Sequence, residues 1–287
     1  MIPKIIHQLW LQGVELVPEK YKPEIEKIKR VNQVFNEQSE WKYILWDEKR
    51  ILDLIKSEPK LLEKYYKYEY LHQKVDFSKF IILWKYGGIF LDIDVQIVKP
   101  FNQLFDYIKD YDFIVSEMNN LMILNFFTCK KFSNCLNNGI YIAKPNSDIL
   151  KYLYENLPID TFIPTKLLKI HLTTGPYSFN NLFNEYKNND SRINKSKILV
   201  LPYEYLEPCN SVIGLCPVTN NTYVKHVHAM SWVPNYTIKI IEFYKKGDYK
   251  NMFLEFISSP YFTFLLILIV LIFIYFKLKS SQSVPSS

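Results

Sequence analysis

The chain has 287 residues, 48% hydrophobic and 22% charged, a balance that suits a folded protein with a sizeable core and excludes a disordered one. Its net charge of +6 is spread without basic runs, and Lys277 and Lys279 lie past an apolar tail, which excludes a nucleic-acid surface but suits a small anionic partner. Cys129, Cys135, Cys209 and Cys216 have no C-x-x-C spacing, so no zinc site is indicated; buried free thiols are the favoured reading, and a Cys209–Cys216 bridge stays open for an oxidising compartment.

In chain order, a strand is expected at Lys4 to Leu11 and an amphipathic helix from Pro18 to Phe35, with Ile25, Ile28, Val31 and Phe35 on one stripe. A strand at Lys42 to Trp46 and helices at Asp47 to Ser57 and Pro59 to Lys74 follow. This βαβα order favours a parallel sheet covered by helices. The next helix, Asp76 to Tyr86, opens with an acid where the helix dipole favours one. Gly87 suits a left-handed C-cap, and Gly88 lets the strand Ile89 to Leu91 leave sharply. Strands near Asp112 to Ser116 and Gly139 to Ala143 precede helices near Ser147 to Asn156 and Pro176 to Lys187. A last strand pair, Ile198 to Leu201 and Tyr223 to His228, leads into a polar helical stalk.

The two ends differ. MIPKIIHQLW has no apolar stretch after a basic start, so no signal peptide is expected. Residues 261–276, YFTFLLILIVLIFIYF, are uncharged and apolar on every face; at about 1.5 Å per residue they reach roughly 24 Å, enough for a thin bilayer. The chain is therefore divided into a main α/β domain at 1–240, a stalk at 241–259, a transmembrane helix at 260–277 and a polar tail at 278–287.

The informative stretch is WKYGGIFLDIDVQ, residues 84–96. In an extended segment Asp92 and Asp94 point to the same side, and their repulsion destabilises the fold unless a cation neutralises it. Hard oxygen ligands with open positions describe a Mn²⁺ or Mg²⁺ site that can also take a phosphate. Asp110 and Asp112 share the spacing but lie on a polar turn and are assigned to solvent. Only the Gly-Gly turn and the apolar strand separate the two pairs.

The segment VDFSKFIILWKYGGIFLDIDV resembles the signature of glycosyltransferase family 32, which carries the DXD sugar-binding motif and includes initiating α-mannosyltransferases and inositol phosphoceramide mannosyltransferases. IPKIIHQLW, NGIYIAKPNSDIL, TTGPYSFN and HVHAMSW resemble further family segments in the same order, so the likeness covers residues 1 to about 235. The resemblance implies a GT-A, Rossmann-like fold that binds a nucleotide-sugar at the carboxyl ends of its strands. It implies catalytic roles for Asp92, Asp94 and Asp76, and a metal site from Asp94 and Asp92 completed by His226 or its rival His228. The implied donor-binding group is Lys79, Trp10, Gly87, Gly88, Trp232 and Asn138, with both glycines read as structural. Lys79 stands where the family has Arg, which keeps the charge but loses the planar fork.

A retaining, front-face transfer is implied. GDP-mannose is the first donor and a UDP-hexose the second; the acceptor is lipid- or membrane-linked, and the location is of Golgi or ER type. The side of the membrane stays open. Lys245, Lys246 and Lys250 before the span favour the cytosol faintly, and sequons at Asn189, Asn194, Asn220 and Asn235 matter only in a lumen. Two alternatives are a haloacid-dehalogenase-type phosphatase, whose first motif IFLDIDVQ also fits, and a catalytically inactive membrane-anchored glycan-binding protein.

Overall fold

A computed structural model describes residues 1–119, 135–162, 165–189, 191, 195–210, 213, 215–229, 233–260 and 262. Two compact units lie along the chain, Met1–Trp232 and Val233–Ser287. The first contains β1 (Ile5–Leu9), α1 (Lys22–Val31), β2 (Lys42–Trp46), α2 (Glu48–Ile55), α3 (Pro59–Lys67), α4 (Leu71–Tyr86), β3 (Gly88–Leu91) and β4 (Val95–Ile97). It continues with α5 (Asn102–Ile108), β5 (Phe113–Ser116), β6 (Ile140–Ala143), α6 (Asp148–Asn156), α7 (Lys166–Thr173), α8 (Pro176–Lys187), β7 (Ile198–Leu201), α9 (Tyr203–Leu206) and β8 (Val224–His226).

Six strands form one sheet in the order β2-β1-β3-β6-β5-β7, and β4 pairs with β8 in a separate ribbon. The expected parallel sheet is present in part: β1 runs parallel to β2 and β3, and β5 to β7, but β6 is antiparallel to both β3 and β5. A four-residue apolar strand such as IYIA fits either direction, so its pattern carries no orientation. The expected last strand pair is corrected, because β7 joins β5 while β8 joins β4.

Both faces of the sheet are buried, so alternate residues feed two cores. Phe90, Tyr141, Phe113 and Val115 pack with Phe77, Phe80, Leu153 and Phe179 from α4, α6 and α8. Ile89, Leu91, Ile140, Ile142 and Ile114 pack on the other face with Ile28, Trp41, Phe101 and Phe105. The expected start of a helix at Asp76 is corrected: the helix break falls earlier, and Gln73 Oε1 accepts from the Tyr70 amide at 3.0 Å to begin α4 at Leu71. Asp76 thus lies inside α4, buried with Lys79 on a helix that also buries Phe77, Phe80 and Leu83.

Gly87 and Gly88 have φ of +63° and +100°, and a Cβ on Gly88 would lie 2.4 Å from the Ile5 carbonyl oxygen. Only glycine lets the chain turn out of α4 and approach β1 this closely.

In the second unit, α10 (Asn235–Lys245) and α11 (Tyr249–Ile257) bury no residue fully. Tyr249, Phe253 and Phe256 of α11 are exposed, and helical spacing puts them on one stripe. The expected span at 260–277 lies outside the described residues except Pro260 and Phe262, as does the whole tail. Among the described residues, no helix is long and apolar enough to cross a membrane.

Candidate functional site

The two aspartates follow directly from β3. The Asp92 amide donates to Gly139 O at 2.9 Å, and its carbonyl accepts from Gln8 Nε2 at 3.1 Å and from the Val95 amide at 3.1 Å. Two residues further, the Asp94 carbonyl accepts from Val227 N at 3.2 Å and its Oδ2 from Ala229 N at 2.6 Å. The β4–β8 ribbon sets Val95 opposite His226, so the end of β8 arrives beside the D-x-D turn. His226 Nε2 lies 3.1 Å from Asp94 Oδ1 and 3.9 Å from Asp92 Oδ2.

One ligand atom each from Asp92, Asp94 and His226 falls within 4.8 Å of the others. Two carboxylate oxygens and one imidazole nitrogen fit Mn²⁺ or Mg²⁺, with further positions left for ligand oxygens. The electrostatics agree. Burial pushes the Asp92 carboxyl up to about 6 despite Lys79 and His226. Burial opposes ionisation of Asp94 as well, but His226 and the Ala229 amide outweigh it and hold this carboxyl below the usual range. For His226, burial disfavours the imidazolium, yet Glu207 and Asp94 raise it well above an ordinary histidine. The protein groups therefore compete to place positive charge between the acids.

Beside this cluster, Asp76 Oδ1 accepts from Lys79 Nζ at 2.7 Å and Asn138 Nδ2 at 3.1 Å, and its Oδ2 from Thr174 Oγ1 at 3.0 Å. Lys79 also donates to Asn138 O and lies 3.9 Å from Asp92 Oδ1. At 1% exposure it is an internal counterion linking Asp76 to Asp92, with no side chain in solvent. Asn138 Oδ1 accepts from Tyr141 OH at 2.7 Å, so this residue joins α4 to β6.

The remaining predicted residues sit elsewhere. Trp10 follows β1 at the edge where β3 also ends, and its ring packs on Tyr21 at 6.1 Å. Gly87 and Gly88 lie at the opposite end of β3 from Asp92, so the structure does not bring them to the cluster. Trp232 lies outside the described residues. Asp112 is not simply solvated: it accepts from Lys144 Nζ at 2.9 Å and the Lys197 amide at 2.7 Å, and so ties strand ends together.

Two features carry no sequence signal strong enough to find them, and a third is one of two readings the sequence leaves open. Glu207, fully buried, accepts from His226 Nδ1 at 3.0 Å and lies 2.5 Å from His228 Nε2. The rival histidines therefore share this carboxylate, but only His226 reaches the aspartates. Gly139 faces the site so closely that a Cβ would lie 2.6 Å from His226 Cε1 and 2.7 Å from Asp92 Oδ2. Finally, Cys209 and Cys216 form a disulfide and Cys135 is also disulfide-bonded, which corrects the free-thiol reading. A 3.9 Å Cα separation brings Cys209 and Cys216 together, a closeness that spacing alone does not reveal.

With this geometry in hand, comparisons with known proteins are specific. Residues 25–114 match the family described as the glycosyltransferase sugar-binding region containing the DXD motif. The chain is 30% identical over 256 residues to a protein described as an uncharacterised glycosyltransferase of Acanthamoeba polyphaga mimivirus, covering 87% of this chain and 90% of that one. It is 23% identical over 289 residues to inositol phosphoceramide mannosyltransferase 1 of Schizosaccharomyces pombe, covering 100% of this chain and 77% of the relative. A mannosyl phosphorylinositol ceramide synthase of Saccharomyces cerevisiae is 34% identical over 95 residues, 33% of this chain and 23% of that protein.

Proposed function

The chain belongs to the glycosyltransferases of the DXD sugar-binding family, and from that membership we propose that it moves a hexose, mannose first, from a nucleotide-sugar to a membrane-associated glycan or glycolipid with retention of configuration. The observation that carries this reading is the convergence of Asp92, Asp94 and His226 at the carboxyl end of β3. That is where open α/β sheets take their ligands, and the three neighbouring parallel strands support a GT-A, Rossmann-like arrangement.

In this reading Asp94 and His226 hold a divalent cation, and Asp92 holds either the cation or the donor ribose. When bound, Mn²⁺ or Mg²⁺ supplies Lewis-acid stabilisation of the charge that develops on a leaving diphosphate. Asp76 is already positioned by Thr174, Asn138 and Lys79, and a carboxylate retains lone pairs for one more donor, here a sugar hydroxyl. Lys79 stands behind Asp76 and Asp92 as their shared counterion, without touching the sugar.

The two mannosyl relatives support GDP-mannose as the first donor, with a UDP-hexose second. Their names also support an inositol-bearing lipid as acceptor. The aromatic stripe on α11 and the apolar run at 261–276 suit a chain held at a membrane of Golgi or ER type, with a catalytic unit at 1–240, a stalk at 241–259, a span at 260–277 and a tail at 278–287. The phosphatase and non-catalytic alternatives have no such support.

The test is transfer by the full chain in vesicles, with Mn²⁺, GDP-mannose and an inositol phosphoceramide acceptor, followed by NMR of the product. We expect an α-mannoside from the α-linked donor, lost with Asp94→Asn. An inverted anomer overturns the retaining mechanism, and turnover undiminished in Asp94→Asn overturns the site.

A further inference from the structure

The Glu207 carboxylate has no contact with solvent and cannot touch a donor or acceptor. It nonetheless occupies an elaborate setting. Its amide closes the α9 turn by donating to Tyr203 O at 2.7 Å. Its two oxygens face two different histidines, His226 Nδ1 at 3.0 Å and His228 Nε2 at 2.5 Å, whose rings lie 4.2 Å apart.

Bringing His228 there requires an unusual backbone. Its φ is +53°, a left-handed conformation costly for a residue with a Cβ. Two residues after Glu207, the Cys209–Cys216 disulfide braces the loop, and the Cys209 carbonyl oxygen lies 3.3 Å from His228 Nε2. A buried carboxylate costs several kcal/mol unless neutralised, so a fold without use for Glu207 gains by placing an apolar residue there.

The chemistry of imidazole gives Glu207 its use. A carboxylate at Nδ1 requires the proton on that nitrogen. In the neutral ring the lone pair is then on Nε2, the atom 3.1 Å from Asp94 Oδ1. A lone pair facing carboxylate oxygens is repulsive unless a proton or a metal cation lies between them. The carboxylate–histidine arrangement is what orients imidazole ligands in metal sites generally.

We infer that Glu207 is a positioning residue for the cation site, fixing the tautomer and ring direction of His226 so that Nε2 is presented to a metal held by Asp92 and Asp94. His228 and the disulfide hold Glu207 in place from the other side. The inference rests on the proposed divalent-cation role of that cluster.

The test uses the full chain with Mn²⁺ alone, without nucleotide. Titration calorimetry should give the Glu207→Gln variant about 10–100-fold weaker Mn²⁺ binding than the parent. Pulsed EPR of the Mn²⁺ form should detect one imidazole nitrogen in the parent and a diminished coupling in the variant, a readout that general loosening of the fold would not select. Affinity within twofold of the parent, with the nitrogen coupling unchanged, would overturn the inference while leaving the cation site intact. A parent that binds no Mn²⁺ would instead overturn the reading beneath it. Should the variant not fold, long-range ¹H–¹⁵N spectra of the unsubstituted chain with Mg²⁺ decide the matter: an Nδ1–H tautomer at His226 is expected, and an Nε2–H tautomer refutes it.

Discussion

Gly139 and Lys79 both lie against the aspartates of the candidate site. Because a Cβ at position 139 would lie under 3 Å from both Asp92 and His226, Gly139→Ala should push the two ligands apart. We expect at least a tenfold loss of Mn²⁺ affinity with little change in circular dichroism; calorimetry on the folded variant checks it. Lys79 is the buried cation shared by buried Asp76 and half-buried Asp92, so Lys79→Met leaves Asp76 without its counterion. Removing one partner of a buried pair costs about 3–5 kcal/mol, which urea unfolding should register. The acids were legible in the sequence because a Gly-Gly turn and an apolar strand frame them. Lys79 was legible as a departure from Arg, but its burial was not, because helical periodicity does not reveal that α4 is covered on every side.

Elements bring these residues together, and β1 shows how a polar side chain can hold a sheet. His7 is buried on β1, with Nε2 2.9 Å from the Gly87 carbonyl oxygen and Nδ1 accepting from Trp46 Nε1 at 3.1 Å. Both nitrogens are used by the neutral ring, and burial lowers its pKa from 6.5 to about 4. The unfolded chain therefore binds a proton that the folded chain refuses. This contribution is complete above pH 6.5 and is lost as pH falls toward about 4, on the order of 3 kcal/mol in all. His7→Phe should flatten the corresponding part of the stability profile, measured by denaturant unfolding between those pH values; an unchanged slope would show that His7 does not carry it. No sequence pattern indicates this bond, since a histidine on a strand is polar in any periodicity count. The ribbon of β4 and β8 was hidden for a related reason: three-residue strands far apart in the chain have no local signature, yet their pairing alone carries His226 to Asp94.

At the scale of the whole molecule, the described cysteines are all disulfide-bonded, a pairing that persists where the surroundings are oxidising. Cys209→Ser with Cys216→Ser should lower stability by about 2 kcal/mol, since the closed loop is short. It should also weaken Mn²⁺ binding, because the loop ends beside Glu207. Expression in a eukaryotic secretory host should add glycan at Asn220, on an exposed turn; an unmodified chain there would favour the cytosolic side. The sequence order of motifs was enough to place the chain in its family, whereas the direction of β6 and the Glu207 bracket exist only once distant segments have packed. The account as a whole depends on Asp92, Asp94 and His226 holding a divalent cation against a nucleotide diphosphate. Crystals of the chain grown with Mn²⁺ and GDP-mannose, measured at the manganese absorption edge, test this most directly. The account predicts one anomalous peak within bonding distance of Asp94, His226 and the diphosphate. Bound nucleotide with no peak there, or with manganese held by other residues, would contradict it.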